Sequence, residues 1–347
     1  MISFKLRYSI QDISIPDEDI RLSFKIIHDV HVKIAKPDEN YLKNSKSRHV
    51  SFCEAELSVL PQERKLKMLD DIIAGNIVDS TDDLPTPYSE ITNHLGKKII
   101  IPPLLIFPEH FKNFINQINN ELADAIKRTV TIVRWYKDNR GSHSPFAVLD
   151  FKWTSDGQNW YNVPMSMHIS METITNGVKL SKKDEGIVLS LLNTDSIEPI
   201  YHSLFREAWG QRHQNPRSAI IMAISAIEVS VKHLIEKTVP DATWLVTRLQ
   251  SPPVFLIFKE YLPKLSIDNK INGVTILPTD RVINDLKKWV TIRNEITHLG
   301  KKSLNGDELK EMLLTVKDIL HIIDFNCGHK WSINHVRRDT LKEIGLK

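Results

Sequence analysis

The sequence contains little cysteine, little glycine and little net charge. Its 347 residues include two cysteines, Cys53 and Cys327, which are too few for a disulfide framework or a four-cysteine zinc site. The 12 glycines exclude collagen-like or glycine-rich linker character. A net charge of +3 provides no general attraction to polyanions, so a nucleic-acid role would require a local basic site.

Sequence signals for secretion and for membrane insertion are also missing. Residues 1–10 contain no basic region followed by a long apolar stretch, and the apolar run at 99–107 is far shorter than a membrane span. The two cysteines fit a reducing compartment. We therefore expect a cytoplasmic protein with no membrane partner.

Common catalytic and metal-binding motifs are absent from the sequence. It has no glycine-rich phosphate loop, no Gly-x-Ser-x-Gly and no His-Glu-x-x-His. Cys327, His329 and His335 supply one thiol at irregular spacing, which is a poor match to a zinc site. We therefore predict no metal ligands and no cofactor.

The chain length favours two domains, and the first is predicted to mix strands with helices. Apolar and polar residues alternate in three segments, as is typical of half-buried strands: 22–34, 53–59 and 147–153. Asp156-Gly157 predicts a hairpin turn after the third segment. Helices are predicted at about 62–74 and from Pro108 onward. Residues 1–180 should therefore form an α+β domain.

The second half of the chain predicts helices with short connections. Capping residues and first-turn prolines indicate helix starts near Ser181, Asn215-Pro216, Ser251-Pro252, Thr279 and Asp307. The predicted fold class is thus α+β overall, with an all-α helical bundle at 181–326 and a basic tail at 327–347. Residues 199–347 hold 22 Lys and Arg against 16 Asp and Glu, so this half is the better candidate for binding a polyanion.

Two charged residues interrupt the apolar stripes of predicted helices. In helix 280–298, Arg293 lies in the middle of the apolar stripe, and Glu228 has a similar place in helix 216–237. Because a guanidinium is costly to bury alone, we predict that Arg293 and Glu228 form an ion pair. The pair is either purely architectural or orients Arg293 for work on a phosphate, and the sequence leaves both open.

His298 and Asn294 are further polar candidates on the same helix. His298 lies five residues after Arg293, about 140° further round an ideal helix, so the two side chains share no face unless the helix ends there. Gly300 is placed to end it. Asn294 lies four residues before His298 and shares its face. A histidine at a helix end is either a surface residue or a cap on the last carbonyls, or, because histidine changes charge near neutral pH, a catalytic acid or base.

This segment resembles the motif of HEPN (higher eukaryotes and prokaryotes nucleotide-binding) ribonucleases, in which four to six residues separate an arginine from a histidine. The matching residues read Arg293-Asn294-Glu295-Ile296-Thr297-His298. They lie on the penultimate long helix, as in that family, and the preceding helix at 219–237 is also similar. The resemblance covers about 181–326 and implies a helical bundle that works as a homodimer, with two motifs facing each other across a symmetric interface.

The resemblance also implies a metal-independent endoribonuclease. The ribose 2′-OH would attack the adjacent phosphate, leaving a 2′,3′-cyclic phosphate and a 5′-OH. His298 would be the general base or acid, Arg293 would hold the phosphate and its developing charge, and Asn294 would orient His298 or a phosphate oxygen.

Supporting roles and partners follow from the same resemblance. Glu228 would support Arg293, while Lys301 and Lys302 would attract the RNA backbone. Enzymes of this kind often serve as toxins or antiviral defence effectors. The N-terminal domain would then be a sensor, an inhibitor or an RNA-selecting module, with a phage component or a small molecule as its trigger.

Two other interpretations stay open at this point. The bundle could be a non-catalytic HEPN-like dimerisation or nucleotide-binding module in which Arg293 is purely structural. Alternatively, the chain could be a regulatory protein whose N-terminal domain binds a small ligand or a phage protein.

Overall fold

The chain divides into two compact units, Met1–Ile197 and Glu198–Lys347. The computed structural model describes residues 1–16, 18–37, 39, 50–78, 84–86, 88–93, 96–141, 145–164, 177–194, 196–248, 251–300 and 304–346. The first unit combines strands with helices, and the second is mainly helical. The α+β class predicted from the sequence is confirmed.

An antiparallel sheet is the central layer of the first unit. The strands of the first unit in chain order are β1 (Ile2–Ile10), β2 (Ile13–Ser14), β3 (Ile20–Lys25), β4 (Asp29–Ala35), β5 (Ser51–Val59), β6 (Ser89–Thr92), β7 (Lys98–Ile101), β8 (Phe146–Thr154), β9 (Tyr161–Asn162) and β10 (Val178–Lys179). Among the described residues, six of them pair antiparallel in the order β3-β4-β5-β1-β8-β9. β6 pairs with β7, and β10 pairs with β2 in parallel.

The alternation in the sequence gives this sheet one apolar and one polar face. The even-numbered apolar residues of β3 and β4 are buried, and His28, the one gap in their pattern, lies in the turn between the two strands. On the other face, Arg7 pairs with Asp150, and Lys5 lies within ion-pair distance of Glu54 and Glu56. An antiparallel sheet with one face towards the core and the other towards water has this pattern.

The helices of the first unit are α1 (Glu63–Ala74), α2 (Glu109–Tyr136) and α3 (Glu185–Asn193). α2 and α3 pack against the six-stranded sheet, whereas α1 contacts β7. α2 contacts β1, β4 and β5, and the ring of Phe114 packs edge-on against Phe4 with centroids 5.8 Å apart. The predicted start and end of α1 are confirmed, and Gly75 ends it with a φ of 67°, which glycine adopts readily.

The boundary between the units lies later than the sequence analysis predicted. Ser181 and Asp184 do form the predicted cap, because the Asp184 carboxylate accepts hydrogen bonds from the backbone N–H and the hydroxyl of Ser181. However, the helix that follows, α3, contacts β3 and α2 of the first unit. The domain boundary therefore follows Ile197 rather than residue 180.

The second unit is a helical bundle around one central apolar helix. Its helices are α4 (Ile200–Gln211), α5 (Pro216–Thr238), α6 (Thr243–Arg248), α7 (Val254–Leu256), α8 (Asp280–Leu299), α9 (Gly306–Asn326) and α10 (Arg338–Glu343). α5 contacts α4, α6, α8 and α9. It is long and apolar enough to cross a membrane, yet more than half of its most apolar stretch is buried inside the bundle, as in the core helix of a soluble domain.

Two local features of the bundle differ from the prediction. The helix expected at about 253–264 consists of α7, a π-turn at Ile257–Tyr261 and a 3₁₀ turn at Leu262–Lys264, where Pro263 lacks the N–H that a regular helix uses. A short hairpin of β11 (Lys270–Ile271) and β12 (Val274–Thr275) also forms. Its two turn residues, Asn272-Gly273, both have positive φ, as this tight turn requires.

The segment predicted to be a basic tail is folded onto α9. Arg337 donates to Asp318 Oδ2 at 2.6 Å and to Glu311 Oε1 at 2.7 Å. Val336 belongs to an apolar cluster with Ile276, Ile322 and Phe325. The C-terminal residues therefore belong to the bundle, because both the ion pairs and the apolar contacts join them to α9.

Replacing Asp184 should destabilise the first unit. Besides the Ser181 cap, its carboxylate accepts hydrogen bonds from Tyr136 Oη and Lys137 Nζ, each at 3.0 Å. Burial raises the pKa of Asp184, but the hydrogen bonds from Ser181, Lys137 and Tyr136 outweigh it and lower the pKa below its usual value. Asp184→Ala should cost about 1–3 kcal/mol at pH 7.

This loss should depend on pH. A carboxyl group with a lowered pKa stabilises the folded state above the unfolded-state pKa of about 4, and this contribution disappears as the pH falls through the folded-state pKa. Urea unfolding at pH 7 and pH 3 measures both effects. Asp29→Ala, at an exposed position of β4, is the matched control and should change stability by less than about 0.5 kcal/mol. An equal loss at both pH values would contradict a role for the ionised carboxylate.

Candidate functional site

The HEPN-like motif lies in the second half of α8. The helix begins after Thr279, whose side chain accepts a hydrogen bond from the backbone N–H of Val282. It ends at Gly300, which has a left-handed φ of 63°. Both ends match those predicted from the sequence. Arg293 and Asn294 therefore lie inside the helix, and His298 lies in its last turn.

The predicted ion pair between Arg293 and Glu228 is present and links α8 to α5. Nη2 of Arg293 donates to Oε1 of Glu228. The two side chains are 18% and 14% exposed, so the pair lies at the edge of the core. The Ser251 hydroxyl donates to the same carboxylate oxygen at 3.1 Å. The Glu228 carboxylate is therefore satisfied by one cation and one hydroxyl.

The Glu228 carboxylate uses only part of the Arg293 guanidinium. Nε of Arg293 is buried and has no hydrogen-bond partner among the residues that the structure describes. A guanidinium carries five N–H donors in a planar fork that matches carboxylate and phosphate oxygens. Arg293 is thus held in place by Glu228, and because its side chain is 18% exposed, part of the guanidinium can reach a further acceptor.

His298 and Asn294 are both exposed, and α8 directs them away from Arg293. Ile296, between them in sequence, is buried in the bundle core, whereas His298 and Asn294 face outward. Within the described ranges, no hydrogen bond or ion pair joins either residue to Arg293. One chain therefore does not bring the predicted arginine and histidine together. Lys301 and Lys302 lie outside the described residues.

A second polar site lies inside the bundle, and the sequence analysis did not identify it. Asp324 of α9 has no exposed surface, and its Oδ1 accepts a hydrogen bond of 2.5 Å from Tyr201 Oη. Its Oδ2 lies 2.7 Å from Nε2 of His202, and both partners belong to α4. Nδ1 of His321, one turn before Asp324, lies 3.9 Å from the same Oδ2. We refer to His202, His321 and Asp324 as the His–Asp cluster.

The electrostatics of the cluster keep Asp324 ionised. Burial alone would raise the pKa of Asp324, but the charge and hydrogen bond of His202, with His321 and the Tyr201 hydroxyl, lower it to about 2. Conversely, burial and the nearby Asp324 carboxylate raise the pKa of Tyr201 well above its usual value. The cluster therefore holds a carboxylate anion in the bundle interior.

The sequence contained a partial signal for this cluster. Asp318, His321 and Asp324 recur every three residues within the otherwise apolar segment 318–325 of α9, and such a polar row inside an apolar segment requires partners. Their partners on α4 are far away along the chain, however, so spacing alone could not identify them.

Comparison of the chain with models of known protein families, with curated proteins and with solved structures gives no match. The chemistry and geometry of the residues themselves therefore carry the functional argument.

Removing Arg293 should destabilise the bundle, because it leaves the Glu228 carboxylate without its cation. For a pair that is mostly buried, Arg293→Ala should cost about 1–3 kcal/mol. Arg293→Ala combined with Glu228→Gln should recover part of that loss. Thermal and urea unfolding of the single and double variants give the coupling free energy.

The matched control for these unfolding measurements is Arg217→Ala, which removes an exposed arginine near the start of α5. It should change stability by less than about 0.5 kcal/mol. If the effects of Arg293→Ala and Glu228→Gln were strictly additive, the two side chains would not interact in solution.

Proposed function

We propose that the chain is a metal-independent endoribonuclease of the HEPN type. The observation that supports this best is the state of Arg293. Its guanidinium is fixed by Glu228 at the junction of α5 and α8, while the side chain remains 18% exposed. A fixed arginine with donors to offer suits the binding of an RNA phosphate.

In the proposed reaction, the ribose 2′-OH attacks the adjacent phosphate and the 5′-oxygen of the next nucleotide leaves. His298 removes the proton from the 2′-OH or delivers one to the leaving oxygen, as a general base or acid. Arg293 binds the phosphate and the negative charge that grows on it in the transition state. Asn294 orients His298 or a phosphate oxygen. The products are a 2′,3′-cyclic phosphate and a 5′-OH.

The separation of Arg293 from His298 on α8 supports a site built from two chains. A two-fold axis would supply a second copy of each residue from the facing helix. Leu299, directly after His298, is 66% exposed. A large apolar side chain beside the motif suits a position within such an interface. We therefore propose a homodimer that pairs two bundles at this end of α8.

The wider role follows from the same proposal. RNA is the partner of the second unit, and Lys301 and Lys302 would add attraction for its backbone. The enzyme would act in the cytoplasm as a toxin or an antiviral defence effector. The first unit would sense the trigger, restrain the nuclease or select the RNA.

The ion pair itself favours a second candidate function. Glu228 neutralises Arg293 without any ligand, as a purely architectural pair would. In that case the bundle is a non-catalytic HEPN-like module for dimerisation or nucleotide binding. Assay of the purified protein for RNA cleavage separates the two candidates.

His298→Ala should abolish RNA cleavage with little loss of stability, because the side chain is exposed at a helix end. Wild-type protein should cleave RNA in EDTA and leave 2′,3′-cyclic phosphate and 5′-OH ends. His213→Ala, which removes another exposed histidine of the second unit, is the matched control and should retain full activity.

Two results would contradict the catalytic assignment of His298 or of the whole bundle. If purified His298→Ala cleaves RNA at the wild-type rate, His298 is not the acid or base. If wild-type protein has no ribonuclease activity with or without EDTA, the architectural interpretation of Arg293 is favoured instead.

Leu299→Asp should weaken the proposed dimer and lower activity in parallel, because a charge would replace an apolar side chain in the interface. Light scattering gives the mass, and activity should also fall on dilution below the dimer dissociation constant. Val274→Asp, at a 58% exposed position of β12, is the control and should leave both unchanged. A monomer at micromolar concentration with full activity would rule out the composite site.

A further inference from the structure

We propose that the His–Asp cluster binds one divalent first-row transition metal ion, with Zn²⁺ as the best fit. His202, His321 and Asp324 each offer one ligand atom, and all three atoms lie within 4.8 Å of one another. They come from two helices, α4 and α9, that pack side by side in the bundle. This proposal does not rest on the ribonuclease proposal, because it concerns other residues.

The ligand types select the class of metal. Imidazole nitrogen suits Zn²⁺, Cu²⁺, Ni²⁺ and Fe²⁺, whereas Mg²⁺ and Ca²⁺ prefer sites made of oxygen ligands. Two histidines with one carboxylate are a known three-ligand set for zinc, with water in the fourth position. The carboxylate also brings a negative charge into the bundle, which a divalent cation would offset.

The distances fit such a site after small movements. With metal–ligand bonds of about 2.0–2.1 Å, neighbouring ligand atoms of a tetrahedral site lie roughly 3.3 Å apart. The 2.7 Å between His202 Nε2 and Asp324 Oδ2 is shorter than this, and the 3.9 Å between His321 Nδ1 and the same oxygen is longer. These two pairs each need to change by about half an ångström, while the ligand atoms of the two histidines, which lie within 4.8 Å of each other, would have to come closer together to complete the site.

Neighbouring groups already orient the ligands. Tyr201 Oη donates to Oδ1 of Asp324, so Oδ2 is the oxygen turned towards both histidines. Such an outer partner for a ligating carboxylate is a regular feature of metal sites. The imidazole of His202 packs against that of His321 with centroids 5.3 Å apart, and His321 packs against His335 at 4.9 Å. These ring contacts restrict the orientations of both imidazoles.

A surface cavity borders a residue that contacts the cluster. Tyr201, which contacts the cluster, and His233 together line an open cavity of about 290 Å³ on the bundle surface. The ring centroids of these two residues lie 5.8 Å apart. A bound ion would join α4 to α9 and so stabilise the bundle without taking part in RNA cleavage.

The test uses the full-length protein after treatment with a chelator and dialysis. Isothermal titration with Zn²⁺ should show one saturable site per chain. At a hundredfold excess of free Zn²⁺ over the dissociation constant, the Tm of the bundle should rise by about 5–10 °C. Co²⁺ should bind at the same site and give the visible absorption of a tetrahedral complex in place of the weak spectrum of the hydrated ion.

Variants separate the cluster from surface histidines. His321→Gln and Asp324→Asn should each abolish saturable binding and the Co²⁺ spectrum, whereas His213→Ala should leave both unchanged. Circular dichroism confirms that each variant is folded, and His202→Gln replaces any variant that is not. If none of the three folds, the Co²⁺ spectrum of the wild type decides alone.

Two results would overturn the proposal. One is the absence of saturable Zn²⁺ binding and of a tetrahedral Co²⁺ spectrum in folded wild-type protein. The other is binding that persists in folded His321→Gln and Asp324→Asn. Either result would assign the cluster to a metal-free hydrogen-bond network.

Discussion

A carboxylate with no access to water must be satisfied inside the protein, and in the second unit this constraint falls on Asp324. Tyr201 and His202 of α4 satisfy it from one side, and His321 approaches it from its own helix. Removing one partner of a buried charge typically costs about 3–5 kcal/mol. The anion therefore constrains how α4 and α9 lie beside each other, in addition to the apolar contacts that both helices make with α5.

The same constraint, in a weaker form, operates where α5 meets α8. Glu228 and Arg293 are each slightly exposed, so their pair is open to exchange with an external anion in a way that the fully buried cluster is not. The bundle therefore contains two polar sites that differ in their access to solvent. In the two proposals, the interior site would hold a resident cation that strengthens the structure, and the edge of the core would bind a transient phosphate.

The two proposals are thus compatible within one bundle. The motif on α8 supplies an arginine at the edge of the core and a histidine on the surface, which a second copy of the chain would complete. The His–Asp cluster lies between α4 and α9 and uses none of these residues. A metal requirement for stability and metal-independent RNA chemistry can therefore coexist, because they depend on different side chains.

Local patterns in the sequence predicted several helices and strands and one ion pair between residues distant in sequence. Alternation predicted β3, β4 and β5, capping residues predicted the starts of α5 and α8, and the charges within apolar stripes predicted the Arg293–Glu228 pair; α9 instead starts at Gly306 after the cap Asn305, not at Asp307. These predictions succeeded because periodicity and capping act within a few residues. Only the tertiary structure assigned α3 to the first unit, folded the C-terminal segment onto α9 and brought His202 to Asp324. These three features depend on how the apolar faces of separate helices and strands pack together. That packing results from many contacts between residues that are distant in sequence, so local patterns cannot predict it.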